Sequence, residues 1–139
     1  GWCQDFSWAQ LEVFSRHLTH LTVPPGRVLV REGELTWTMG IVVHGRLEVR
    51  KQTRGGERQV AILGPGSTFG ELSLLDGEPR SATVAALTES EVLLLPLEEL
   101  RKVEREHPRL AVAVYRKIAK LLSGQLRCTT GRWVSSMAE

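Results

Sequence analysis

Arg80 and Glu71 are the side chains in this sequence best equipped to hold a small charged ligand. Both lie in the segment 69–84, FGELSLLDGEPRSATV, with Gly70 and Ser81 beside them. One short span therefore offers a flexible backbone turn, a carboxylate, a guanidinium and a hydroxyl. A guanidinium is a planar fork of five donors that keeps its charge and matches a phosphate or carboxylate. An ionised Glu only accepts, which suits neighbouring hydroxyls such as those of a sugar. Between the two, Leu72, Leu74 and Leu75 read as a short helical turn whose first N–H groups are available to an anion. The ligand implied carries a phosphate and a diol: a sugar phosphate or a nucleotide.

The elements that must position these residues fall into three regimes. Residues 7–10, S-W-A-Q, fit a capping box at a helix start. Phe6, Leu11, Phe14 and Leu18 then recur at helical spacing and predict an amphipathic helix of about three turns, stopped by Pro24, Pro25 and Gly26. From 27 to 96, short β-branched runs alternate with turns. Strands are predicted over 27–31, 40–44, 46–52, 58–63, 82–87 and 91–95, and Gly55-Gly56 suits a hairpin that needs positive φ. About seven short strands at this spacing, with no long helix between them, predict an antiparallel sandwich or barrel. The helical turn inside 69–84 interrupts that barrel, and such insertions carry function.

Pro96 opens the last regime. Leu97, Leu100 and Val103 predict a short helix with Glu98 and Glu99 well placed for its dipole. His107-Pro108 breaks it, and Pro108 can start the next. From 109 to 125, one apolar stripe is Leu110, Val114, Ile118 and Leu121; a second is Val112, Tyr115, Ala119, Leu122 and Leu126. Two stripes exceed what packing on one barrel requires. The surplus closes over a ligand or meets a partner helix, unless the helix is buried deeply in its own domain. Residues 128–139 show no period and are expected to be poorly structured.

Composition narrows the function classes. A chain of 139 residues is most economically one domain, and 42% hydrophobic with 24% charged residues is ordinary for a globular protein. A net charge of +2 argues for neither nucleic acid nor a membrane surface, and no apolar run has the length of a membrane helix. Cys3 and Cys128 show no ligand spacing and read as two unrelated thiols, with a disulfide joining the termini as the alternative. His17, His20, His44 and His107 show no tight ligand spacing within the barrel, which argues against a metal enzyme, and no nucleophile–base pair can be assembled. Arg116, Lys117 and Lys120 read as a solvated helix face.

The segment GELSLLDGEPRSATV closely resembles the phosphate-binding cassette of cyclic nucleotide-binding domains, which occur in protein kinase regulatory subunits, gated channels and bacterial catabolite activator proteins. PPGRVLVREGE, IVVHGRLEV and PLEELRKVEREHP extend the resemblance over residues 8–127. It implies a mainly β fold with flanking helices. This is a β-roll (a double-stranded antiparallel barrel, jelly-roll-like) with an N-terminal helix and two C-terminal helices, over residues 1–127, followed by the tail 128–139. It also implies roles. Arg80 matches the arginine on the exocyclic phosphate oxygens, Glu71 the glutamate on the ribose 2′-hydroxyl, and Gly70 the glycine that brings backbone amides close. Leu72 and Ser73 offer N–H groups, Ser81 a hydroxyl to the phosphate or a guanine, and Ala82, Val84 and Leu63 an apolar wall for the base. Two positions depart from the family's pattern. Gln125 and Leu126 stand where the catabolite activators carry a Thr-Ser pair for adenine, and Gly40 where many members carry an aromatic.

The expectation is a non-catalytic cytoplasmic regulatory domain, alone or as a module of a larger and even membrane-attached protein. It binds cAMP or cGMP, with cAMP favoured and no metal, and passes the signal through its C-terminal helix to an attached or partner effector. A homodimer through that helix is compatible with the double stripe, whereas nucleic-acid binding and membrane insertion are not expected. The rivals are a ligand-free interaction or oligomerisation module, and the sensor half of a transcription regulator.

Overall fold

The structure, a computed structural model, describes the backbone of residues 2–138 and the side chains of residues 4–124. After a 3-10 turn at Trp2–Asp5, helix α1 runs over Trp8–Ser15. Its capping box is present: the Ser7 hydroxyl accepts from the Gln10 N–H (3.1 Å) while the Gln10 side chain accepts from the Ser7 N–H (3.0 Å). The helix ends before Leu18, sooner than the helical spacing predicts. Thr19–Val23 is instead strand β1. Leu21, half-buried, and Val23, buried, alternate with the exposed His20 and Thr22, and a neighbouring strand completes its hydrogen bonds.

The remaining strands are β2 (Val28–Val30), β3 (Thr38–His44), β4 (Leu47–Thr53), β5 (Gly56–Leu63), β6 (Thr68–Phe69), β7 (Thr83–Ala86) and β8 (Ser90–Pro96). Helix α2 (Glu71–Asp76) falls between β6 and β7, and α3 (Leu97–Glu106) and α4 (Pro108–Ala138) follow β8. Two four-stranded sheets, β1-β8-β3-β6 and β2-β7-β4-β5, are antiparallel throughout and face each other. This is the expected β-roll with flanking helices. β6 was not expected, because two residues are too few to show a period. It exists through its pairing to β3, Gly40 opposite Phe69 and Ile41 opposite Thr68.

β3 and β8 read as near-continuous apolar runs because both of their faces are covered. Val42 and Val92 point into the core between the sheets with Val23, Leu47, Phe69 and Val84. Met39, Ile41 and Leu95, on the alternate positions, pack under the helices against Phe6, Phe14, Leu100, Val103 and Val114. Gly40 is required in this arrangement. A Cβ there would lie 2.1 Å from the Phe69 ring, which reaches in from β6 and fills that space.

Helix α4 starts at Pro108, as predicted, but its backbone stays helical to Ala138, through the stretch expected to be poorly structured. No proline follows Pro108, and Gly124 and Gly131 each cost about 1 kcal/mol without ending a helix. Its first stripe is buried at Leu110, Val114 and Ile118. The second is largely exposed at Val112, Tyr115 and Ala119. Lys117 and Lys120 pair with Asp5 at 2.9 and 3.6 Å, tying the N-terminal turn to α4.

Candidate functional site

The site is built around α2, whose two ends are set by glycine. Gly70 (φ 79°) and Gly77 (φ 70°) sit at its N- and C-caps in the left-handed region that side chains resist. At Gly70 a Cβ would meet Arg80 Nη1 at 2.4 Å and the Thr38 carbonyl at 2.6 Å. Its absence lets backbone, strand and guanidinium meet at one point. At the other end the Trp37 indole donates to the Gly77 carbonyl (3.1 Å).

Arg80 follows in an irregular segment pinned by its own backbone. Its N–H donates to the Glu34 carbonyl (2.9 Å), and its carbonyl accepts from the Gly33 N–H (2.8 Å). The side chain is only 4% exposed, and Nε donates to Thr36 Oγ1 at 3.0 Å. Nη1 and Nη2 are buried with no hydrogen-bond partner among the described residues. Burial lowers the Arg80 pKa from its ordinary value and the Glu34 carboxylate partly offsets this, but an arginine starting so high keeps its charge. A buried guanidinium with two unsatisfied nitrogens is costly unless an anion completes it.

Glu71, at the first position of α2, is 5% exposed, and its carboxylate accepts from the Thr68 hydroxyl at 3.0 Å. Both charged groups border a cavity of about 290 Å³ with Gly70, Leu72, Ser81 and Ala82. Its apolar side comes from Val30, Val49, Leu63 and Val84 of the sheet β2-β7-β4-β5. Eight of the residues singled out in the sequence, Leu63, Gly70, Glu71, Leu72, Arg80, Ser81, Ala82 and Val84, thus share one cavity with opposite charges on its wall. Ser73 is buried and does not border it. Gln125 lies outside the described side chains.

Four contributors escaped sequence reasoning. Thr36 orients Arg80, Glu34 faces it, Thr68 orients Glu71, and Trp37 holds the end of α2. Only the fold brings Thr36 and Trp37 across to the segment 69–84.

One buried cation and one buried carboxylate thus border a single small cavity in a β-roll flanked by helices. The chain belongs to the cyclic nucleotide-binding domain family, whose model matches residues 20–107. The cyclic AMP receptor protein of Thermus thermophilus is 36% identical over 118 residues, which cover 84% of this chain and 51% of that protein. A cyclic nucleotide-gated potassium channel of Rhizobium etli is 36% identical over 111 residues, 80% of this chain and 30% of the channel. Among solved structures, a cyclic nucleotide-binding domain from Methylobacillus flagellatus superposes with a TM-score of 0.87 at 25% identity, covering 91% of this chain and 72% of that one. The chain therefore spans about half the length of the receptor and less than a third of the channel.

Proposed function

We propose that this domain binds a cyclic nucleotide, cAMP in preference to cGMP, and passes occupancy to an effector through its C-terminal helices without catalysing a reaction. The carrying observation is Arg80, buried with Nη1 and Nη2 unpaired beside a cavity that Glu71 also borders. The phosphate docks on Arg80, where two donors and a full charge await it. The ribose hydroxyl donates to Glu71, whose carboxylate Thr68 holds in place. The base rests on the apolar wall of Ala82, Val84 and Leu63. The preference for cAMP is supported by the receptor named above.

Transmission is supported by two connections from α2. Leu74 is buried in the same core as Leu100, Val103 and Leu110, so α2 cannot shift without disturbing α3 and α4. Trp37 holds the end of α2 through its indole and accepts the Leu97 N–H (2.9 Å) at the start of α3 through its carbonyl. Between α3 and α4, His107 leaves helical geometry (φ −139°, ψ 67°) and supplies a hinge. A cleft of about 470 Å³ beside it, bordered by Val13 of α1 and by Pro108, leaves room for rotation. Ligand shifts that hinge only by its difference in affinity for the two positions. The exposed row Val112, Tyr115 and Ala119 supports a homodimer through α4.

Calorimetric titration of the chain with cAMP and cGMP tests the reading. Saturable binding of cAMP, tighter than of cGMP, is expected. No heat with either at millimolar concentration leaves the ligand-free interaction module as the better account.

A further inference from the structure

Away from the cavity, His17 meets the adjacent pair Glu106 and His107, all three of ligand type, where the N-terminal and C-terminal helices join. His17 lies just past α1, Glu106 ends α3, and His107 is the non-helical residue before α4. Each places one donor atom within 4.8 Å of the other two. The imidazoles are arranged edge to face, with centroids 6.3 Å apart and planes at 68°. His17 is 11% exposed at the side chain, and its Nδ1 lies 2.8 Å from a Glu99 carboxylate oxygen. An ionised carboxylate only accepts, so Nδ1 is the donor of this pair, and in the neutral ring Nε2 offers the lone pair.

A metal-bound imidazole characteristically has this support. Donation of the other ring N–H to a carboxylate fixes the ring and raises its basicity. Two imidazole nitrogens and one carboxylate oxygen are the donors of three-ligand zinc sites, which leave a fourth position to water. Magnesium and calcium prefer oxygen donors alone and fit this set poorly. We propose that His17, Glu106 and His107 bind a divalent transition-metal ion of the zinc type, with Glu99 as the positioning residue for His17. A bound ion ties the end of α1 to the α3–α4 junction. That this also restrains the hinge rests on the proposed cyclic-nucleotide function; the metal binding does not.

The test is titration of Zn²⁺, and of Co²⁺ as a spectroscopic probe, into the nucleotide-free chain. One equivalent of Zn²⁺ binds, and Co²⁺ develops visible absorption bands. Glu99→Gln weakens binding by about 10- to 100-fold, the range typical for loss of an outer carboxylate. His107→Ala and Glu106→Gln each weaken it by at least as much. Glu106 is exposed, so its substitution tests ligation without threatening the fold. His20→Ala, altering an exposed histidine paired to Glu91 at 3.4 Å, leaves the affinity unchanged, as does Cys128→Ser. Absence of Zn²⁺ and Co²⁺ binding overturns the proposal, and so does wild-type affinity in Glu106→Gln and His107→Ala together. Because no nucleotide is present, neither result bears on whether the cavity binds cAMP.

Discussion

The two sheets of the roll differ in what covers them. In the sheet β1-β8-β3-β6, the central strands β8 and β3 are apolar on both faces. Val42 and Val92 point inward, while Met39 and Leu95 lie fully buried beneath the helical layer. The sheet β2-β7-β4-β5 buries one face against its partner but shares that side with the cavity bordered by Arg80 and Glu71. Its edge strand β5 is exposed for most of its length, with Val60 and Ile62 at 56% and 50% exposure. The covered sheet has the burial that stabilises a domain, whereas the open one has space and unsatisfied polar groups. Stability and binding are thus drawn from different layers, and α2, packed by Leu74 into one and bordering the other with Leu72, joins them.

Substitutions in the two layers should therefore fail differently. The largest effect is expected beneath the helices. Leu100 is fully buried, and Leu100→Ala should cost about 2–5 kcal/mol of stability. Denaturant unfolding would show a lowered midpoint, and cyclic-nucleotide affinity in the folded fraction should hardly change.

Arg80→Ala should do the reverse. Losing charge-assisted bonds worth about 1.5–3 kcal/mol weakens binding roughly 10- to 150-fold. Stability should hold or rise, because an incompletely paired buried charge disappears. An Arg80→Ala protein as unstable as Leu100→Ala would erase the distinction between the layers.

A smaller effect is expected at Glu71→Gln, which removes the charge from the hydrogen bond to the ribose. Calorimetry should show weaker binding of the natural nucleotide. An analogue lacking the 2′-hydroxyl should bind both proteins about equally, and a persisting difference would move Glu71 away from the ribose.

The smallest signal lies in the helical layer. Tyr115, the chain's one tyrosine, has its pKa raised to about 12 by partial desolvation against the helices and by its hydrogen bond to Glu104, which joins α4 to α3. The neutral phenol is the favoured form when folded. Its contribution is therefore complete below the unfolded value of about 10 and is lost as the pH rises from there through the folded value of about 12. Ultraviolet titration should find the phenol ionising near the upper value, and Glu104→Gln should lower it.

What could be read in advance depended on sequence distance. Gly70, Glu71 and Arg80 sit within one short segment, so their types and spacing alone pointed to a ligand with a phosphate and a diol. The strands of the roll were readable where β-branched runs met glycine turns. The end of α1 was misplaced because Leu18 keeps a helical period while Thr19–Val23 is drawn into pairing with β8. Gly40 had no explanation until Phe69 came to lie over it. Thr36 and Thr68 resemble any other threonines until the fold turns them toward Arg80 and Glu71.

The sequence by itself determined which groups can recognise a ligand and where the chain bends, because charge, donor geometry and the φ preference of glycine belong to single residues and near neighbours. Only the tertiary structure decided that Arg80 is buried with its fork unpaired and that one stripe of α4 is covered while the other faces outward. It also decided that His17 meets His107. Burial and convergence depend on which distant surfaces exclude water from one another, and no local pattern records that choice.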